Sequence, residues 1–99
     1  MQYELKDNDA TVALSGDLTF TDHVAFREIA DRLARCSART VTIEVSNLKF
    51  IDSAGLGMLL IAREEAVKSN RTLVLRGAQG QVNRMFELTK FATLFTVEA

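Results

Sequence analysis

The sequence predicts a small α/β domain: a mixed sheet, begun by an antiparallel hairpin and continued by parallel strands, with helices packed mainly on one face. Three observations carry that reading. Two short alternating segments near the N-terminus are separated only by turn residues. Segments of helical and strand period then alternate, the order of βαβ units with right-handed crossovers. The best-defined strand has one apolar and one polar face, as expected where cover lies on a single side. With 99 residues, no Pro, no internal repeat and no linker, the chain reads as one domain, 1–99.

The elements come in a clear order. Tyr3-Glu4-Leu5-Lys6 alternates in character, and Asp7-Asn8-Asp9 supplies the turn. Ala10 to Ser15 is the second strand, with Val12 and Leu14 on one face and Thr11 and Ala13 on the other. Gly16-Asp17-Leu18-Thr19 breaks the pattern and leads into a helix. There Phe26, Ile29, Ala30 and Leu33 recur at i, i+3, i+4 and i+7, opposite Arg27, Glu28, Asp31, Arg32 and Arg35. Thr19 or Thr21 is its candidate cap, and Asp22 in the first turn suits the helix dipole.

Val41, Ile43 and Val45 then alternate with Thr40, Thr42, Glu44 and Ser46, which makes Thr40 to Ser46 a strand. The connector Asn47 to Asp52 leads into a second helix, Ser53 to Ser69. Asn70 ends it, because Asn tolerates the left-handed conformation. Thr72 to Arg76 is the fourth strand. Gly77 and Gly80 flank the start of a third helix with Val82, Met85, Phe86 and Thr89 on one face. A short strand near Leu94 to Val97 closes the chain.

Composition removes several function classes. The chain carries 12 Lys plus Arg against 13 Asp plus Glu, a net charge of −1, and so no basic footprint for nucleic acid. No run of about 18 apolar residues is present to span a membrane, and Met1-Gln2-Tyr3-Glu4 does not read as a signal peptide. A single Cys, Cys36, excludes an internal disulfide, and the single His, His23, leaves no zinc set. The expectation is a soluble cytoplasmic protein without metal or cofactor.

Ser53-Ala54-Gly55-Leu56-Gly57, opening the second helix, is the oddest local feature. Two glycines in the first turns of a helix cost about 1 kcal/mol each relative to Ala, so something there needs a bare backbone. Anion binding at the helix N-terminus is one explanation; tight helix-to-sheet packing with Ser53 as a plain N-cap is the other. As a cap, Ser53 would lose about 0.5–2 kcal/mol on replacement by Ala. Gly55-Leu56-Gly57-Met58-Leu59-Leu60 lacks the third glycine of a dinucleotide fingerprint, and neither a P-loop nor a Gly-x-Ser-x-Gly elbow exists. His23 reads as a solvated surface residue, Cys36 as a small buried one, and Glu64-Glu65 as a polar helix face, so no active site emerges. Leu56, Leu59, Leu60, the stem of Arg63 and Val67 suffice to pack the second helix on a sheet. Met58 and Ile61 then point elsewhere, either under a neighbouring helix or into a small hydrophobic docking surface beside Ser53.

Phe50-Ile51-Asp52-Ser53-Ala54-Gly55-Leu56-Gly57 resembles the signature of STAS domains, and more narrowly that of the single-domain anti-sigma factor antagonists of bacteria. The resemblance covers nearly the whole chain. Gly16-Asp17-Leu18-Thr19 stands where the family has a Gly-acid-Leu-Asp loop, and Val82, Arg84, Phe86 and Leu88 fit its third helix. It implies a STAS-like fold and a partner-switching regulator rather than an enzyme. In the family, an anti-sigma factor that is itself a serine kinase phosphorylates the Ser after the Asp, here Ser53. The unphosphorylated form binds the anti-sigma factor and releases the sigma factor, phosphorylation prevents binding, and a metal-dependent serine phosphatase resets the switch. Partner-binding residues implied are Asp17, Thr19, Asp52, Ser53, Ala54, Gly55, Leu56, Gly57, Met58 and Ile61.

The chain departs from the pattern in three places. Ala54 replaces the usual Ser or Thr, Thr19 replaces the usual Asp, and Ala99 closes the sequence where many members continue into a final helix. Rival readings are a STAS subunit of an ABC-type lipid-transport complex, against which Ser53 argues, a nucleotide-binding enzyme, and a similar phospho-switch with a non-sigma output.

Overall fold

The hairpin pairs β1 (Gln2–Lys6) with β2 (Thr11–Leu18) in a computed structural model that describes residues 1–99. Its turn holds Asp7, Asn8 and Asp9 at φ 55°, 56° and 68°, a left-handed run that Asn and Asp tolerate better than most side chains. Then come α1 (His23–Arg35), β3 (Thr40–Ile51), α2 (Ser53–Lys68), β4 (Thr72–Arg76), α3 (Gly80–Leu88) and β5 (Thr96–Glu98). The sheet order is β1-β2-β3-β4-β5, antiparallel at β1–β2 and parallel thereafter.

The register shows why the sheet has two unlike faces. Leu5, Val12, Ile43, Leu75 and Val97 form one row across all five strands; Lys6, Thr11, Thr42, Val74 and Thr96 form the next row, pointing the other way. The first face joins Phe26, Ile29 and Leu33 of α1, Leu59 and Ala66 of α2, and Val82 and Phe86 of α3 in a single core. The second face carries a charged ladder, Lys6–Glu44 at 3.0 Å, Arg76–Glu44 at 3.7 Å and Arg76–Glu98 at 3.1 Å. The Glu44 carboxylate, through its hydrogen bond and its charge, raises the Lys6 pKa above the ordinary lysine value. No helix is long and apolar enough to cross a membrane.

Several boundaries differ from those predicted, each for a physical reason. The strand pair β2–β3 absorbs both Gly16-Asp17-Leu18 and Asn47 to Ile51, which the alternation assigns to loops. Register shifts between Ala13 and Ser15 and between Gly16 and Asp17 insert extra β3 residues, and each insertion reverses the facing of the residues beyond it. Gly16, at φ +84°, lies on β2 between the two shifts, in a left-handed conformation that glycine adopts without strain. Thr19 heads a 3-10 turn at Phe20–Asp22 rather than α1, and Asp22 takes the N-cap position of α1. Val67 is 53% exposed instead of packing on the sheet. Thr89 lies past the end of α3, exposed, its hydroxyl donating to the Met85 carbonyl at 2.7 Å. The last strand starts later than predicted because Phe91–Thr93 forms another 3-10 turn, which stacks Phe91 between Phe86 and Phe95 at ring separations of 5.1 and 4.8 Å. Asn70 ends α2 as expected, at φ 61°.

Candidate functional site

The ends of β2 and β3 meet at the start of α2, and Asp52 ties them together. Its Oδ1 accepts the Gly55 N–H at 2.7 Å, so Asp52, not Ser53, is the N-cap of α2. Asp and Ser are equally good caps by type; here β3 arrives extended at Asp52, and the helix begins with the next residue. Oδ2 of Asp52 accepts the Phe20 N–H at 3.2 Å, while the Asp52 N–H donates to the Leu18 carbonyl at 3.3 Å. One carboxylate therefore fastens the Phe20 turn to the head of α2. On the other side, Gln81 of α3 grips both backbone groups of Ile51, accepting from its N–H and donating to its carbonyl, each at 2.9 Å.

With the capping role taken, Ser53 is the first helical residue and is exposed. The N–H groups of the first helical positions have no intrahelical carbonyl to reach, and the dipole there favours negative charge. Gly55 faces inward. A Cβ at Gly55 would stand 2.5 Å from the Leu18 carbonyl oxygen and 2.7 Å from Ile51 Cγ1, so this glycine lets α2 lie against β2. Gly57, one half-turn on, has nothing within 4 Å of its own Cβ position.

The implied partner-binding residues divide accordingly. Asp17 and Ser53 are exposed; Thr19, Asp52 and Gly57 are half-buried, and Ala54 is half-buried against the core. Ile61 is 58% exposed. Gly55, Leu56 and Met58 are buried, a correction to their place on a docking surface. Met58, at 7% exposed, lies under α1: it shares with Phe26, Ala30 and Ile61 the wall of a groove of about 410 Å³ between α1 and α2. Met58 and Ile61, singled out together from the sequence, thus part company.

Phe20 is a site residue that the sequence reading misses. It is 66% exposed and stacks on His23, ring centroids 5.2 Å apart, and His23 also lines the groove. Its signal was present: a large aromatic between two threonines, outside any apolar period. Beneath it, burial pushes the Asp22 carboxyl up, but the Thr19 N–H and the N-terminal ammonium, at 2.9 and 3.2 Å, outweigh that and hold its pKa below the ordinary value. The turn beside Ser53 is therefore held in place by two carboxylates, Asp22 and Asp52.

Known proteins match this chain in sequence and fold. The family described as "Mlab, STAS domain" matches residues 1–96. A STAS-domain containing protein of Pseudomonas aeruginosa (strain UCBPP-PA14) is 28% identical over 89 residues, covering 90% of this chain and 87% of that protein. The anti-sigma-B factor antagonist of Staphylococcus aureus (strain NCTC 8325 / PS 47) is 22% identical over 92 residues, covering 93% of this chain and 85% of that one. The crystal structure of an anti-sigma factor antagonist from Mycobacterium paratuberculosis superposes with a TM-score of 0.84 at 20% identity, over 98% of this chain and 84% of that chain. The five-strand mixed sheet with its three helices is the fold of these antagonists, and the chain belongs to the STAS domain family.

Proposed function

We propose that this protein is a partner-switching anti-sigma factor antagonist with Ser53 as its switch. The observation that carries the reading is an exposed serine at the first position of α2 whose capping duty falls to Asp52. Its hydroxyl is thereby free to act as a phosphoryl acceptor without loss of the cap. In the reaction, Ser53 Oγ attacks the γ-phosphorus of ATP, its proton passes to a base of the kinase, and the bond to ADP breaks. A serine phosphatase reverses the state by hydrolysis, releasing inorganic phosphate. The domain itself is ligand and substrate, with no turnover of its own, and works in the cytoplasm.

Charge supplies the switching energy. A phosphoserine adds about −1.5 to −2 charges at neutral pH, and Asp52 beside it adds like charge. The helix N-terminus accommodates the phosphate in the free protein. In a complex the same charge is stripped of water, a penalty of several kcal/mol where no cation meets it. Each 1.4 kcal/mol is about tenfold in affinity, so two decades of weakening are expected.

The test takes each purified anti-sigma serine kinase of the source organism, mixes it with this protein and ATP, and locates phosphate by mass spectrometry while titration calorimetry measures binding. Phosphate on Ser53 and at least hundredfold weaker binding of that form support the reading. Phosphate elsewhere, or stable association with a transport ATPase and no kinase, overturns it in favour of the lipid-transport subunit. Hydrolysis of ATP by the domain alone, lost on changing Asp52 or Ser53, overturns the non-enzymatic role.

A further inference from the structure

β3 outruns its partner on one side. β2 accompanies it to Ile51, but β4 pairs with it only from Thr40 to Glu44. From Val45 to Ile51 the edge of β3 that faces away from β2 has no strand beside it, and its backbone groups need partners of another kind. The start of α3 provides them. Gln79 Nε2 donates to the Ser46 carbonyl at 2.6 Å. The Gln81 amide accepts from the Ile51 N–H and donates to the Ile51 carbonyl, each at 2.9 Å. A primary amide carries an acceptor and a donor side by side, so one side chain meets Ile51 as a neighbouring strand would.

The two rungs differ in what they hold. Ser46 lies in mid-strand, whereas Ile51 is the last residue of β3 and leads into Asp52, the cap, and Ser53, the first residue of α2. The Asp52 N–H turns the other way, to the Leu18 carbonyl of β2. The chain that enters the switch is therefore held from both sides, by a strand on one and by Gln81 on the other. Packing of α3 does not require that glutamine: Val82 and Phe86 fill the core, and Gln81 is half-buried beside them.

We propose that Gln81 is a positioning residue for phosphorylation of Ser53; the proposal rests on the reading of Ser53 as the switch. Its polar bonds go to Ile51, not to Ser53, and it acts by fixing the peptide from which Asp52 and Ser53 continue. Attack on phosphorus needs the reacting atoms about 3–3.5 Å apart, and a misplacement of about 1 Å costs roughly a hundredfold in rate. Without Gln81 the Ile51 N–H and carbonyl lose their partners and the end of β3 loosens on that side. The outer surface of α2 keeps all its residues. Binding of the kinase then persists while transfer slows.

The test is steady-state phosphorylation of Ser53 by the purified kinase, at a temperature where every variant is folded. Gln81→Met keeps the length of the side chain and neither bond; kcat is expected to fall at least about tenfold, with KM within about threefold of wild type. Gln81→Glu keeps an acceptor for the Ile51 N–H but no donor for the carbonyl, and its kcat falls between Gln81→Met and wild type. Gln79→Met removes the other rung from the same helix and strand, and keeps the wild-type kcat. Hydrogen exchange at the Ile51 amide speeds at least about tenfold in Gln81→Met and not in Gln79→Met. Wild-type kcat in Gln81→Met, a loss confined to KM, or an equal loss in Gln79→Met overturns this role alone and leaves the switch standing. If Gln81→Met does not fold, wild-type kcat in Gln81→Glu does the same. A wild type that no kinase phosphorylates at Ser53 overturns both.

Discussion

The inner and outer faces of the first two turns of α2 contain the same kinds of residue and use them for opposite ends. Gly55 and Gly57 carry the same helical penalty, about 1 kcal/mol each. At Gly55 the sheet explains it, with Leu18 and Ile51 inside the distance a Cβ would need; at Gly57 nothing does. Met58 and Ile61 repeat the contrast with large side chains: one is in the core under α1, the other faces solvent. Residue type alone therefore does not separate a packing residue from an exposed one. The neighbour at each position does.

The large side chains give the widest separation. Met58→Ala removes a core side chain and is expected to cost about 2–5 kcal/mol, toward the lower end because the open groove beside it lets water or neighbours fill the space. Ile61→Ala is expected to stay within about 0.5 kcal/mol of wild type. Ile61→Glu keeps the thermal midpoint and lowers affinity for the kinase at least tenfold. Chemical denaturation of the two alanine variants checks the first pair, calorimetry the third variant. Equal destabilisation at Met58 and Ile61 would erase the distinction between the faces.

The glycine on the inner face comes next. Gly55→Ala forces β2 and α2 apart, because the nearest atom, the Leu18 oxygen, belongs to backbone and cannot swing aside. Overpacking of this kind costs about 1–3 kcal/mol, of which helical propensity returns roughly 1. A net loss of up to about 2 kcal/mol appears as a midpoint lowered by up to roughly 16 °C, against the rise expected for Gly57→Ala. Two substitutions of the same chemistry, two residues apart, then differ in sign.

Much of this contrast was out of reach of the sequence, for definite reasons. α1 was legible because Phe26, Ile29, Ala30 and Leu33 stand on one side of a charged helix, so period and phase were both visible. In α2, Leu56 to Ala62 is apolar on nearly every side, Gly57 apart, so neither period nor phase shows there, and Met58 is told from Ile61 only by the cover that α1 gives it. The hairpin and the strand order were legible, whereas the second half of β3 was not, because two bulges reverse its alternation after Glu44. The Asp-Ser-x-Gly-Leu-Gly motif pointed to the head of α2. It did not say which of Asp52 and Ser53 caps the helix, since both are good caps and only the path of the chain decides.

That assignment is testable at each residue. Asp52→Ala removes the acceptor of the Gly55 N–H and frees the Phe20 turn at once, an expected loss of about 1–2 kcal/mol. Asp52→Asn keeps a capping oxygen and should recover most of that stability. If the lost charge nevertheless alters kinase binding, Asp52 also contributes to recognition, and comparing stability with affinity across the two variants separates the roles.

The smallest effect on stability is expected at Ser53, the residue proposed as the switch. Were Ser53 the cap, Ser53→Ala would cost about 0.5–2 kcal/mol. With Asp52 in that position, and Ser53 exposed, the change is expected to stay within about 0.5 kcal/mol. Ser53→Ala should bind the kinase as the wild type does, but ATP should no longer release it. Ser53→Asp places a carboxylate where the helix dipole favours one, so the fold should hold or gain slightly while affinity falls. The fall will be smaller than for phosphoserine, whose charge is larger. Denaturation curves and calorimetry on the three proteins read both quantities together. Tight binding by Ser53→Asp, or a capping-sized loss in Ser53→Ala, would return Ser53 to the helix as an ordinary structural residue and leave the outer face without its switch.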